Sequence, residues 1–274
     1  MWLRHIFLCL TMQIVSWNVN SAKARLPHIL DYLREVKPDV LCLQELKCID
    51  DAFPKSEVED LGYNVETFGQ KTYNGVAILS RFPIEDVIRG IPNFEDEQSR
   101  YIEAVINDGV TVCRVASIYL PNGNPVDGGD GPKFTYKLAF MKALKAHAET
   151  LLSYEEVTVL AGDYNIIPND VDCYAPEAWR DDALFRDDSR AHFRAIKNLG
   201  YADALELIKV PSDETYTFWD YQAGAFPKNN GIRIDHHLLS PMAADLLKNV
   251  RIDRHMRERH KPSDHVPIAI QLGA

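Results

Sequence analysis

The 274-residue sequence predicts a single α/β domain. Three observations lead there. Short continuous apolar runs, such as residues 40–43 and 157–161, have the length and composition of buried strands. Between them lie longer segments with apolar residues at three- and four-residue spacing, the period of a helix packed on one face. No low-complexity linker or internal repeat divides the chain.

Taken in order, residues 13–17 (QIVSW) read as a buried strand. Residues 22–36 read as a helix, because Leu26, Ile29, Leu30, Leu33 and Val36 fall on one face. Residues 40–43 (VLCL) and 75–80 (GVAILS) are strands. Residues 101–106 and 110–120 are two more, joined by a turn at Asn107-Asp108-Gly109. A Gly- and Pro-rich loop at 121–132 precedes a long helix at 133–152, with Phe134, Leu138, Met141, Leu144 and Leu151 on one broad face. A strand at 157–161, an irregular polar stretch at 164–188 and a helix at 189–199 follow. Strands near 215–219, 233–239 and 266–271 complete the chain. The apolar run within residues 1–11 is short for a signal peptide and no small-x-small cleavage site follows it. Residues 1–11 are therefore expected to be a ragged extension and residues 12–274 the domain.

Hydrophobic residues make up 46% and charged residues 26%, an ordinary globular composition, and no apolar stretch is long enough to span a bilayer. The five cysteines show no CxxC pairing. An odd count without framework spacing suggests a reducing compartment, hence a cytoplasmic protein, and argues against a zinc site. The net charge of -10 argues against binding nucleic acid by bulk electrostatics, but leaves room for an enzyme with a local basic groove. No oligomerisation segment stands out, so a monomer is expected.

The informative feature is where polar residues interrupt apolar strands. Asn18 ends IVSW, Gln44-Glu45 ends VLCLQ, Tyr119 and Asn122 follow VASI, Asp163 and Asn165 end VTVLAG, and Asp264-His265 precedes VPIAIQ. Each has a plain explanation alone, as a cap, a turn or a solvated charge. Five strand ends carrying acid, amide, phenol or imidazole together point to a site assembled over a rigid sheet.

One chemistry uses this set. Glu45, Asn18 and Asp264 supply the hard oxygens that Mg²⁺ prefers. Asp163 with Asn165 can position and activate water, and His265 can donate to a phosphoryl oxygen. Asp235, in RIDHHLL, can hold that imidazole in its useful tautomer. Carboxylates clustered without a cation would repel, so the set itself predicts metal dependence.

The chain resembles the exonuclease III family of the endonuclease/exonuclease/phosphatase superfamily from about Met12 onward. The matching stretches are IVSWNVNS at 14–21, PDVLCLQELK at 38–47, YNGVAILSR at 73–81, YLPNG at 119–123, LAGDYNI at 160–166, TYTFWDY at 215–221, GIRIDHHLLS at 231–240 and KPSDH at 261–265. The resemblance implies a four-layer α/β sandwich, two mixed β-sheets packed face to face and flanked by helices. It implies Mg²⁺, with Mn²⁺ as a substitute, and incision of duplex DNA 5′ of abasic sites with removal of 3′ blocking groups or 3′ nucleotides. Asn18, Glu45 and Asp264 then belong to the metal cluster, and Asp163, Asn165 and His265 to a second metal position across the phosphate. Tyr119 and Asn122 contact phosphate, Tyr119 assists the chemistry, and Asp235 orients His265. Phe218, Trp219, Ile232 and Ile234 look like the lining of a pocket for a flipped abasic sugar, with core packing the plain alternative for Phe218 and Trp219. Lys47 would reach a phosphate.

Three departures stand out against the family pattern. Asn20 stands where animal relatives place an aspartate, Ile232 where some carry tryptophan, and the loop at 123–132 lacks an arginine that could wedge into the duplex. Residues 251–261 (RIDRHMRERHK) read as a basic lip beside the site. The alternatives are a superfamily phosphodiesterase or phosphatase acting on RNA, lipid or inositol phosphates, a catalytically dead binding protein and a plain structural domain. The Lys47, YLPNG and RID signals favour DNA. The intact acidic and imidazole set disfavours the other two.

Overall fold

The computed structural model describes residues 11–129, 131–208, 210–211 and 214–273. Of the expected extension, residues 1–10 lie outside the described residues. Thr11 does not belong to an extension, because it already pairs with Gly273.

Two six-stranded sheets organise the described residues. The first runs β11 (Leu247–Ile252), β12 (Ile268–Gly273), β1 (Thr11–Asn18), β2 (Val40–Gln44), β4 (Val76–Ser80), β3 (Asn64–Phe68). The second runs β5 (Ile84–Arg89), β6 (Tyr101–Asn107), β7 (Val112–Tyr119), β8 (Val157–Asp163), β10 (Asp235–Leu239), β9 (Ala202–Asp203). In each sheet one central pair is parallel, β1 with β2 and β7 with β8, while the remaining pairs are antiparallel. Both sheets are therefore mixed.

The two-residue period of a strand sorts the layers. Ile14 joins Cys42 and Ile78 of its own sheet and Ile102, Val115 and Val159 of the other in a core between the sheets. Its neighbours Val15 and Trp17 pack outward on Ile29, Tyr32 and Leu33 of α1 (Leu26–Glu35) and Val58 of α2 (Lys55–Glu59). On the far side, Ile118, Leu160 and Leu238 meet Phe140 and Leu144 of α3 (Pro132–Leu152) and Phe193 of α5 (Asp187–Lys197). Each such buried side chain contributes about 1.5–3 kcal/mol. Helix, sheet, sheet, helix is the four-layer sandwich.

Several elements differ from the sequence reading. The first helix begins at Leu26, with Pro27 in its opening turn where a missing N–H costs nothing. The stretch at 215–219 forms only isolated bridges, Phe218 to Ile232 and to His265. Inside the irregular stretch 164–188 lies α4 (Pro176–Trp179). Strands β3, β5 and β11 escaped the pattern because they are edges with at most one buried residue each and no clean alternation.

This topology gathers the polar strand ends. β1 and β2 are parallel and finish together at Asn18 and Gln44. β12 runs antiparallel to β1, so Ser263, Asp264 and His265 enter it at the same edge. β7 and β8 finish together at Tyr119 and Asp163, and antiparallel β10 starts with Asp235 opposite Asp163. Between the sheets, just behind this edge, Gln44 Nε2 donates to Ser16 Oγ at 3.2 Å and Ser117 Oγ at 3.0 Å. Ser117, in the second sheet, donates in turn to the Leu43 carbonyl at 2.9 Å, so the Ser117 hydroxyl ties the two halves of the site to each other. Gly162 faces Ile118, where a Cβ would lie 2.0 Å from the Ile118 carbonyl oxygen, so only glycine permits the close pairing that delivers Asp163.

Candidate active site

Asn18 sits at the centre. Its Nδ2 donates to Glu45 Oε1 at 2.8 Å and to Asp163 Oδ2 at 2.9 Å, tying the first sheet to the second. Its Oδ1 accepts from the Asn20 N–H at 3.0 Å. Glu45 holds a φ of 55° and Asn165 one of 48°, left-handed backbone that non-glycine residues hold only where the surroundings enforce it. The ties are visible: Ser21 N–H donates to Glu45 O at 2.8 Å, and Asn165 N–H to Asp163 Oδ1 at 2.9 Å.

His265 is buried between two carboxylates. A carboxylate only accepts, so Nδ1 carries the proton donated to Asp235 Oδ2 at 2.8 Å. Nε2 then faces Asp163 Oδ2 at 3.7 Å. Burial opposes a charged ring, but Asp235 and then Asp163 outweigh it and push the His265 pKa up to about 10. Burial pushes the Asp163 carboxyl up to about 7, with His265 opposing and Asp235 adding to the rise. For Glu45 burial acts upward, yet Lys47, Asn18 and His265 together outweigh it and the pKa falls. The Tyr119 hydroxyl is driven well above its usual range by burial, then by Glu45 and Asp163, so it is a proton donor at neutral pH.

Among the described His, Cys, Asp and Glu residues, ligand atoms of Glu45, Asp163 and His265 come within 4.8 Å of one another, a spacing a metal ion can bridge. The two carboxylates are hard oxygen donors of the kind Mg²⁺ takes. Asp264 is not in this group. Its Oδ1 accepts from Asn20 Nδ2 at 3.0 Å and from Ser263 Oγ at 3.3 Å. Lys47 Nζ lies 2.8 Å from Glu45 Oε2 and donates to Asn20 Oδ1 at 2.5 Å, so it serves the acidic cluster directly. Asn122 is exposed and donates to Asn165 Oδ1 at 3.2 Å. The guanidinium of Arg100 lies over the Tyr119 ring at 4.7 Å.

The four expected pocket residues divide. Phe218 and Ile232 line a cavity of about 210 Å³ together with Tyr174 and Trp179. The Phe218 ring also packs on His265, 5.0 Å between centroids, which puts the cavity next to the imidazole. Trp219 and Ile234 do not line this cavity: Trp219 packs in a separate cluster with Tyr216 and Ala225, and Ile234 lies buried beside Ile232 in the cluster behind it. The Trp219 indole meets Tyr216 and Phe226 and donates to Asn229.

The basic run also has a different use from the expected lip. Arg251 pairs with Asp253, Arg259 with Asp31 and Glu35 of α1, and Arg257 donates to the Trp219 carbonyl at 3.0 Å. Arg254 stacks over Trp219. The run fastens the 217–222 loop and α1 rather than standing free.

Sequence reasoning missed Lys137, which is fully buried and donates to the carbonyls of Asn122 and Asn165 at 3.0 and 2.6 Å. Burial pushes its pKa down to about 7. The signal was available: Lys137 lies three residues after Phe134 and four before Met141, on the apolar stripe of α3. Tyr174 and Trp179 carried no signal, because they lie in the stretch without periodicity.

Residues 15–265 match the model of the Endonuclease/Exonuclease/phosphatase family. The chain is 33% identical to exodeoxyribonuclease III of Haemophilus influenzae, covering 94% of this chain and 98% of that one. The structure is similar to that of the 3′ phosphatase NExo from Neisseria bound to product DNA hairpin, with TM-score 0.89, 39% identity and coverage of 95% and 99% of the two chains. It is also similar to an AP endonuclease from Archaeoglobus fulgidus, with TM-score 0.88, 33% identity and coverage of 94% and 98%.

Proposed function

Because the chain belongs to the endonuclease/exonuclease/phosphatase family, we propose that it is a Mg²⁺-dependent DNA-repair hydrolase. It incises duplex DNA 5′ of abasic sites and clears 3′ blocking groups or 3′ nucleotides. The observation that carries this reading is His265, held by Asp235 on one nitrogen and facing Asp163 with the other, with Glu45 joined to Asp163 through one amide. Names of relatives, a 3′ phosphatase, an exodeoxyribonuclease and an AP endonuclease, support a DNA phosphate ester as the substrate class.

In this reading Glu45, beside Asn18 and Asp264, would hold the ion, with Mn²⁺ able to replace Mg²⁺. When bound, the ion would supply charge neutralisation at the phosphate and at the departing 3′ oxygen. The chain's own residues do the rest. Asp163, ionised and oriented by Asn165 N–H, takes a proton from the attacking water. Asn165 and Asn122 align that water and the phosphate. His265 donates from Nε2 to a phosphoryl oxygen, and Asp235 keeps the proton inventory of the ring correct. Tyr119, protonated, donates to another phosphoryl oxygen. Phe218 and Ile232, with Tyr174 and Trp179, receive a base-less sugar in their cavity, whose rim also carries Asp220, Gln222 and Asn230. The protein acts as a monomer in the cytoplasm. No helix among the described residues is long and apolar enough to cross a membrane.

The test uses three duplexes, one with a stable abasic analogue, one with a 3′-phosphate at a nick and one undamaged, each with Mg²⁺ or EDTA. Wild type should cut the first and dephosphorylate the second only with Mg²⁺, and Asp163→Asn should do neither. A folded wild type that leaves all three intact overturns the reading and directs attention to RNA, lipid or inositol phosphates.

A further inference from the structure

We propose that Lys137 is a positioning residue for this hydrolysis, a brace that fixes the loop carrying Asn122 against the loop carrying Asn165. The inference rests on the hydrolase reading above. Lys137 sits on the buried face of α3 at 0% exposure, between Phe134 and Met141, where an apolar residue would fill the space without desolvating an amine. Among the described residues no carboxylate lies within ion-pair distance of it, so pairing does not explain its place. Its Nζ donates to two carbonyls instead, Asn122 O at 3.0 Å and Asn165 O at 2.6 Å.

Those carbonyls belong to the two segments that must keep register during the reaction. The first follows β7 and carries a phosphate contact. The second follows β8 and holds the water. Asn165 Nδ2 donates to the Leu120 carbonyl at 2.9 Å and Leu120 N–H to the Asp163 carbonyl at 2.8 Å, which joins the segments at their roots. Farther out, Asn122 Nδ2 links them through side chains at 3.2 Å, and Lys137 bridges them through two backbone carbonyls. The brace reaches the acid as well. Asn165 has a φ of 48°, its carbonyl held by Lys137 and its N–H donated to Asp163 Oδ1 at 2.9 Å. With the carbonyl released, Asn165 is held only through its side chain and the bond its N–H makes to the carboxylate it aims. Gly123 fits the same design: its φ is 93° and an added Cβ would lie 2.6 Å from Lys137 Cδ, so the loop rests directly on the lysine shaft. An amine donates two hydrogens whether or not it is protonated, so the brace does not depend on ionisation.

The experiment compares wild type, Lys137→Met, Asn122→Ala and the double variant on the abasic-analogue duplex with Mg²⁺, with the folded fraction measured by denaturation. Met keeps the length and removes the donors. Per folded molecule, kcat of Lys137→Met should fall between about ten- and a hundredfold, the scale of a small misplacement of reacting groups. KM should stay within about twofold, because the lysine touches no substrate. Asn122→Ala should cost less in the Met background than alone, since both act on one spacing. A purely structural lysine would lower stability and leave kcat per folded molecule and additivity intact, and that result overturns the brace. If Lys137→Met does not fold, Lys137→Gln is judged by the same two criteria. Wild type failing to cleave DNA would overturn the hydrolase reading, and the brace with it. Cleavage by wild type with an unimpaired variant overturns the brace alone.

Discussion

Asp235→Asn isolates the role of charge behind His265. Asp235 Oδ2 accepts from His265 Nδ1 at 2.8 Å, while Oδ1 is buried without a partner. Asparagine can keep its carbonyl oxygen on the imidazole N–H and turn its NH₂ into the slot of Oδ1, so shape and tautomer survive. What disappears is the charge. A hydrogen bond to a charged group is worth about 1.5–3 kcal/mol against roughly half that for a neutral one. If the bond strengthens as His265 donates to the phosphate, losing its charged part costs up to about tenfold in kcat. Losing the whole interaction costs about ten- to two-hundredfold. The pH profile supplies the sharper readout. Asp235 raises the His265 pKa, so the variant's alkaline limb should move to lower pH. The assay is steady-state cleavage of the abasic-analogue duplex from about pH 6 to pH 11 at saturating Mg²⁺. An alkaline limb that does not move, with kcat within about twofold of wild type, would refute the assignment of Asp235 as the electrostatic partner of the imidazole.

Two further outcomes concern stability. Gly162→Ala would place a Cβ 2.0 Å from the Ile118 carbonyl oxygen in the central β7–β8 pair, and neither backbone can yield without breaking the ladder. It should cost about 3–5 kcal/mol in urea titration, and a loss below about 1 kcal/mol would contradict the close-approach argument. His237 is fully buried with both ring nitrogens unpartnered, and burial holds its pKa down at about 3. The unfolded chain takes up this proton first, at its ordinary pKa near 6.5, so stability is complete above that pH and drains away as pH falls toward about 3. At about 1.4 kcal/mol per unit, His237→Leu should gain about 2 kcal/mol relative to wild type between pH 7.5 and pH 5. Equal pH dependence of the two proteins would show that the ring finds a partner.

Legibility in the sequence followed burial. β2, β4 and β8 are buried along their whole length, and their unbroken apolar runs announced them. β3 and β5 were silent because an edge strand exposes one side to water and carries charge there: Glu66 on β3 pairs with Arg89 on β5 across the open flank. The reactive residues were legible for the converse reason, since a buried Asp163 or Asp235 interrupts a run that would otherwise be apolar. Lys137 interrupts a helix face in the same way but was lost in a stripe with enough hydrophobes to look complete. Trp219 was misplaced because a strand-like run gives the alternation of faces but not which face the cavity occupies, and neighbouring Phe218 took that face. Ile234 shares the cluster of Ile232, and the cavity simply stops short of it.

The fate of the basic run explains how an acidic protein can keep such a centre in order. Four of its arginines are spent inside the molecule, on Asp253, on Asp31 and Glu35, on the Trp219 carbonyl and on the Trp219 ring. Two of these arginines tie down segments that end at the site. Arg257 holds the residue next to Phe218. Arg259 draws the approach to Ser263 against α1. Arg25 closes the same corner, donating to Asn20 O, Tyr221 and Pro262 O. The local cations therefore set geometry first. Attraction of a phosphate then falls to the few groups at the opening, Lys47 among them, and Lys47 is already paired with Glu45. Under the proposed reading, an ion arriving at Glu45 would compete with that ammonium and release a cation near the phosphate, so that metal binding and recruitment of the substrate's charge would be coupled through one lysine in a chain whose net charge is -10.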